Sequence, residues 1–122
     1  MSAALCLALL VYAEARGELP IDHHAVAYVA LTRAKESNQP VCKVIRKEGQ
    51  FAKLPVNPKE QEAWAASKAA AQAVLSGKVK DPTLGATFFH HVREHPKWSK
   101  FLTVTLRTKK HVYYRKESSH ED

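Results

Sequence analysis

Phe101-Leu102-Thr103-Val104-Thr105-Leu106-Arg107 alternates in character. Leu102, Val104 and Leu106 fall on one side, and Thr103, Thr105 and Arg107 on the other. A period of two over β-branched and apolar residues marks a half-buried strand. His111 to Arg115 is its expected partner, with Thr108-Lys109-Lys110 as the turn. The segments before this hairpin read as helix, so the expected fold class is α+β: helices packed on a short antiparallel sheet.

Upstream, the helices are marked by their ends. The clearest is Pro58 to Ser76, with Asn57 as cap, Pro58 in the first position, Glu60 three residues after the cap and Gly77 as terminator. Trp64, Ala71, Val74 and Leu75 lie near one face, while the alanines from Ala65 to Ala73 suit close packing and exposure equally. A second helix starts near Pro20 and runs to about Ala34, with Ala25, Val26, Val29 and Ala30 as its apolar stripe. Ser37-Asn38-Gln39-Pro40 ends it. Val41 to Phe51, with Gly49 as a turn, reads as an irregular connection holding one helical turn. Asp81-Pro82-Thr83 with Gly85 reads as a turn.

The first residues admit two readings. Ala3 to Val11 is apolar and Ala13-Glu14-Ala15 has the form of a leader cleavage site. Against this, no Lys or Arg precedes the apolar run, and Glu14 would sit inside the site. Leu5, Leu9 and Tyr12 recur at helical spacing, Gly17 supplies a stop and Pro20 follows. We adopt a core helix, and with it the expectation that the chain carries no export signal of its own.

The chain has 122 residues, 45% apolar and 25% charged. These values fit one globular domain, assigned to residues 1–116 with a polar tail over 117–122. They exclude collagen-like, coiled-coil and mostly disordered classes. No apolar run reaches the roughly 18 residues that span a bilayer. Two cysteines, Cys6 and Cys42, allow at most one bridge. Nineteen Lys and Arg against 12 Asp and Glu give a net charge of +7. Nucleic acid, anionic lipid and the bacterial envelope all fit as polyanionic partners.

Val11-Tyr12-Ala13-Glu14-Ala15-Arg16-Gly17-Glu18 carries the most suggestive chemistry. Glu14 falls at the C-terminal end of an apolar helix, where helix carbonyls and apolar neighbours both disfavour negative charge. A carboxyl group that keeps its proton is what a general acid needs near neutral pH. The alternative is an ordinary surface pair of Glu14 with Arg16 or a nearby Lys.

This segment resembles the Glu-Ala-Arg-Gly-Glu signature of the SleB-type cell wall hydrolases, a family of spore-cortex-lytic enzymes and phage lysins. Ala25-Val26-Ala27-Tyr28-Val29-Ala30-Leu31-Thr32-Arg33 is similar to the family's second helix, which usually ends Leu-Asn-Arg. Val41-Cys42-Lys43-Val44-Ile45 and Gln50-Phe51 resemble its next block. Asp81-Pro82-Thr83-Leu84-Gly85-Ala86-Thr87 resembles Asp-Pro-Thr-x-Gly-Ala-Thr. Pro96-x-Trp98 and His111-x-Tyr113-Tyr114 are similar to the closing motifs. The blocks run in order from about Cys6 to Arg115. Three positions depart from the pattern: Thr32 for Asn, Phe88 for a His, and Lys110 for the Gly before His111.

The resemblance implies a small lysozyme-like or lytic-transglycosylase-like domain that cuts peptidoglycan between N-acetylmuramic acid and N-acetylglucosamine. It makes Glu14 the catalytic acid. In a lytic transglycosylase Glu14 would then take the proton of the sugar's own 6-hydroxyl, and one carboxylate would suffice. Hydrolysis by water is the alternative and calls for a second carboxylate, for which Glu18 and Asp81 are the options. Glu18, Gln50, Phe51, Thr83, Thr87, His111 and Tyr113 are the candidate substrate contacts. Their ordinary readings are a loop residue for Glu18, core for Phe51 and Tyr113, a turn for Thr83 and a water-facing strand position for His111. The cleft is expected between helices and sheet, and no cofactor or metal is implied. Expected partners are peptidoglycan glycan strands and the anionic envelope, with no specific nucleic acid and with the chain a monomer. The Cys pair fits matched positions and is either bridged, in an oxidising setting, or reduced and buried. A phage lysin, acting from the host cytoplasm or from the virion, is the expected setting, with a bacterial enzyme as the alternative.

Two readings of other classes compete. His91-Val92-Arg93-Glu94-His95 has the H-x-x-E-H form of inverted zinc peptidases, although Pro96 and a strand-like Thr87-Phe88-Phe89 flank it. His23-His24 reads as an exposed pair at a helix start. A small basic nucleic-acid-binding module would explain the charge, but no recognisable motif organises its Lys and Arg.

Overall fold

The computed structural model describes residues 1–47 and 49–117. Its first element, α1 (Ala3–Ala15), is the pivot of the helical part. Ser2 caps it, its hydroxyl accepting the Leu5 N–H at 3.1 Å. From Cys6 to Tyr12 every residue is buried, because α2 (Pro20–Ser37), α3 (Val41–Arg46) and α4 (Gln61–Leu75) all pack against it. A helix that is apolar all round is stable only when surrounded in this way. Small side chains at Ala8, Ala15, Ala25, Ala30, Ala70 and Ala71 let the axes approach, while Leu7, Leu10, Val11, Val26 and Val29 fill the space between.

Tertiary contacts reset several boundaries. Helix α4 starts at Gln61, three residues later than the Asn57–Pro58 signal predicts, and no side chain caps it. Its entry is fixed from α1 instead: the Glu60 N–H donates to the Tyr12 hydroxyl at 3.1 Å, and Arg16 pairs with Glu60 at 3.1 Å. Its end is as expected. Gly77 takes φ +75°, and the Gly77 and Lys78 N–H groups return to the Val74 and Ala73 carbonyls. Leu75 turns outward, 40% exposed. Helix α2 runs to Ser37, past Ala34, and closes at Asn38 in the left-handed region, a conformation Asn tolerates. The Val41–Phe51 connection contains α3, tied to α1 by a Cys6–Cys42 disulfide.

The sheet has the order β1 (Phe88–His91), β3 (His111–Arg115), β2 (Thr103–Arg107), with both pairings antiparallel. A short 3₁₀ helix, Lys97–Phe101, precedes β2, which therefore starts two residues later than the alternation suggests. Between Val104 and Leu106 the register slips. This bulge breaks the alternation, and Val104, expected on the core side, is 38% exposed. Central β3 is buried from His111 to Tyr114. Tyr113 joins the helical core, while Tyr114 meets His90 and Trp98 on the sheet's other face.

Replacing Cys42 by Ser opens a loop closed across 36 residues. The expected loss is about 3–4 kcal/mol in the chain-entropy model, measured by urea unfolding against oxidised wild type. An unchanged midpoint would show that the two cysteines do not bridge.

Candidate active site

Glu14 lies on the last turn of α1, half-buried, in the wall of a cavity of ≈ 360 Å³. The opposite walls come from Gln50, Phe51 and Ala52 after α3 and from Phe89, His91 and His111 of the sheet. This is the expected cleft between helices and sheet. One Glu14 oxygen accepts the Ala52 N–H at 2.8 Å. Arg16 is committed to Glu60, so the surface-pair alternative for Glu14 is not what the fold uses. The surroundings are more polar than an apolar helix end suggested, with Arg33, Lys110 and Glu94 on the same walls.

Two further cavities adjoin this one. A cavity of ≈ 320 Å³ shares Arg33 and Gln50 with it and is bordered by Thr87 and Phe88. A cavity of ≈ 670 Å³ shares His91 and Lys110 and is bordered by Glu18 and Arg107. Glu14 therefore stands in a cavity that shares wall residues with two others.

Sequence reasoning missed two organising residues. Arg33 donates from Nε to the Thr87 carbonyl at 2.6 Å and from Nη1 to Gln50 at 3.3 Å. Its guanidinium lies over the Phe51 ring at 4.7 Å. Burial pushes its pKa down and the Glu14 charge opposes this; a guanidinium stays charged all the same. Asp22 is 2% exposed. One of its oxygens accepts the Tyr113 hydroxyl at 2.6 Å and the Thr108 hydroxyl at 2.7 Å. The other meets His111 Nδ1 at 2.9 Å. Burial works against the charged carboxylate, but bonds from His111, Tyr113 and Thr108 outweigh it and hold Asp22 below its ordinary range. Burial, with the Asp22 charge beside it, pushes Tyr113 far up, so its hydroxyl remains a donor. A signal for Asp22 did exist: it stands four and seven residues before Val26 and Val29, on the buried stripe of α2.

The model of the cell wall hydrolase family matches residues 17–114. The chain belongs to the cell wall hydrolase family. Its fold is similar to the catalytic domain of the Bacillus cereus SleB protein, at 26% identity over 93% of this chain and 89% of that one, with a TM-score of 0.76. It is equally similar to the catalytic domain of the germination-specific lytic transglycosylase SleB from Bacillus anthracis, at 25% identity over 93% of each chain, TM-score 0.76. No curated protein matches significantly. The architecture is thus the lysozyme-like α+β fold, and the protein is a peptidoglycan-degrading enzyme. The family match begins three residues after Glu14 and carries no information about it.

In this cell wall hydrolase the candidate substrate residues separate. Gln50, Phe51 and His111 border the Glu14 cavity. Thr87 borders the adjoining one, largely buried, with its hydroxyl unpartnered. Glu18 borders the other neighbour: α1 stops at Ala15 and Gly17 turns the chain at φ +82°, so Glu18 does not follow Glu14 along a helix. Thr83 and Tyr113 have no exposed surface and are held in hydrogen bonds within the protein. Thr83 bonds Asp81 and the Ala86 N–H; Tyr113 serves Asp22. Asp81 is spent inside the same turn, on Thr83 and the Gly85 N–H, and is no second acid. His111 is buried rather than facing water. His23 is buried too, its ring bonded to the Ala15 carbonyl at 2.9 Å, which satisfies a helix end. His91 closes β1 and Glu94 sits in the following turn, so H-x-x-E-H does not form a helical ligand pair. Among the described residues no cluster suits a metal.

Because Asp22 titrates below its ordinary 3.8 in the fold, its stabilisation is complete above that value and lost as pH falls through the lower one. Asp22→Asn is expected to cost about 1–3 kcal/mol at neutral pH. The gap should shrink steadily below pH ~4. Urea unfolding across pH measures it, and a pH-independent gap would contradict a charged Asp22.

Proposed function

We propose that this cell wall hydrolase cleaves the bond between N-acetylmuramic acid and N-acetylglucosamine as a lytic transglycosylase, with Glu14 as its catalytic carboxyl. The observation that carries the reading is the place of Glu14 in a cavity between helices and sheet that shares walls with two neighbouring cavities, room for sugar units beyond the one at the acid. Glu14 gives its proton to the glycosidic oxygen as the C1–O bond breaks. The carboxylate left behind is stabilised by the Ala52 N–H and the Arg33 charge. It then takes the proton of the 6-hydroxyl, whose oxygen bonds to C1 and closes a 1,6-anhydro ring. No water enters and the carboxyl regains its proton.

The Phe51 ring suits the apolar face of a sugar, and the Gln50 amide suits an acetamido group. The net charge of +7 favours encounter with an anionic wall. Similarity to a lytic transglycosylase domain supports the same chemistry.

Hydrolysis by water is the second reading, and one observation favours it. Glu94 borders the Glu14 cavity, with an oxygen accepting the His91 N–H at 2.9 Å. Such a second carboxylate could activate water.

Glu14→Gln is expected to reduce muropeptide release from purified peptidoglycan by at least about 10²-fold with the circular dichroism spectrum unchanged. Retained activity would reject the assignment. Glu94→Gln is expected to keep most of it. Mass spectrometry of the wild-type products decides between the mechanisms: anhydro ends support transglycosylation, and products heavier by one water support hydrolysis.

A further inference from the structure

Building on that reading of the groove, we propose that Asp22 is a positioning residue. It fixes His111 as a hydrogen-bond acceptor for a hydroxyl or acetamido N–H of the bound sugar. The contact is between two buried groups, Asp22 at 2% and His111 at 3% exposure, brought from α2 and β3. An ionised carboxylate only accepts, so the 2.9 Å contact places a hydrogen on His111 Nδ1. In the neutral ring Nε2 then carries the lone pair.

The remaining geometry leaves Nε2 for an outside partner. The ring borders the Glu14 cavity. Among the described residues the buried polar side-chain atoms without partners are Thr87 Oγ1 and Thr105 Oγ1. Nε2 is not one of them, and no described residue bonds it, so the atom keeps some exposed surface on a ring that borders the groove. The edges of Phe89 at 5.0 Å and His91 at 6.1 Å limit the ring's tilt.

The titratable groups facing His111 are Asp22 from α2, His91 from β1 and Tyr113 from its own strand. Glu14, Glu94, Arg33, His90 and Lys110 share the cavity. Asp22 alone of these bonds the ring. Its other oxygen is saturated by Tyr113 and Thr108, so the carboxylate cannot swing away from Nδ1 without breaking both. Burying a carboxylate is costly, and here it orients one ring nitrogen toward substrate.

Two measurements test this. In the wild-type protein, long-range ¹H–¹⁵N correlation at neutral pH should show His111 Nδ1 protonated and Nε2 unprotonated; a protonated Nε2 overturns the proposal. In a double-mutant cycle on muropeptide release, Asp22→Asn and His111→Gln should each lower kcat/KM about tenfold or more. In the His111→Gln background Asp22→Asn should cost nothing further. Equal losses from Asp22→Asn in both backgrounds would make its role merely structural and overturn the proposal. The nitrogen measurement needs no variant to fold. Glu14→Gln reports separately on the parent reading, since it is judged without reference to His111.

Discussion

The burial of α1 on every side between Cys6 and Tyr12 is the constraint from which the rest of the site follows. A helix without an outer face has fixed rotation and depth, because every neighbour would have to move for it to turn. Beyond the buried stretch its last turn comes back to the surface, and Glu14 is there. Glu14 is therefore aimed by the core rather than by the loops around it, and the loops are arranged against it: Ala52 donates to its carboxylate, and Arg16 leaves it to hold α4 through Glu60.

The second constraint is polar. Asp22 joins α2 to residues 86 to 91 positions further along the chain: Thr108, His111 and Tyr113. Apart from the bond of Arg33 to the Thr87 carbonyl, helices and sheet meet largely through apolar contacts, which set distance but tolerate sliding. A carboxylate with all its bonds filled allows one register only. The cost of burying it is offset by these bonds, and their direction fixes which side of the sheet faces Glu14.

Much of this was legible in the sequence, for stated reasons. The α+β class followed from the hairpin, the helix ends from Gly77 and Asn38, and the cleft from the order of the blocks. The misreadings have physical causes. Asn57 and Pro58 form a good local start, but the Tyr12 hydroxyl reaches Glu60 from another helix and sets the start there. The side of Val104 was misjudged because one bulge residue reverses a period-two pattern. Asp22 drew no reading from the sequence: it stands in the first turn of α2, where an acid favours the helix dipole, although its spacing to Val26 and Val29 puts it on the buried face. Thr83 and Tyr113 sit in matched blocks, and here Thr83 bonds inside the turn and Tyr113 bonds Asp22. Membership of a block does not separate scaffold from cleft.

The bridge between Cys6 and Cys42 lies eight residues along α1 from Glu14 yet bears on the groove. Residues 42 to 52 lead directly into the wall that carries Phe51, and they are fastened to α1 at two points, by Cys42 at one end and by the Ala52–Glu14 bond at the other. The two fastenings stand about 12 Å apart along the helix, at 1.5 Å per residue. With both in place this wall is a span pinned at each end. In a reducing medium the packing of α3 on α1 and the hydrogen bond remain, and the hydrogen bond ends on the very group the reaction must protonate and deprotonate.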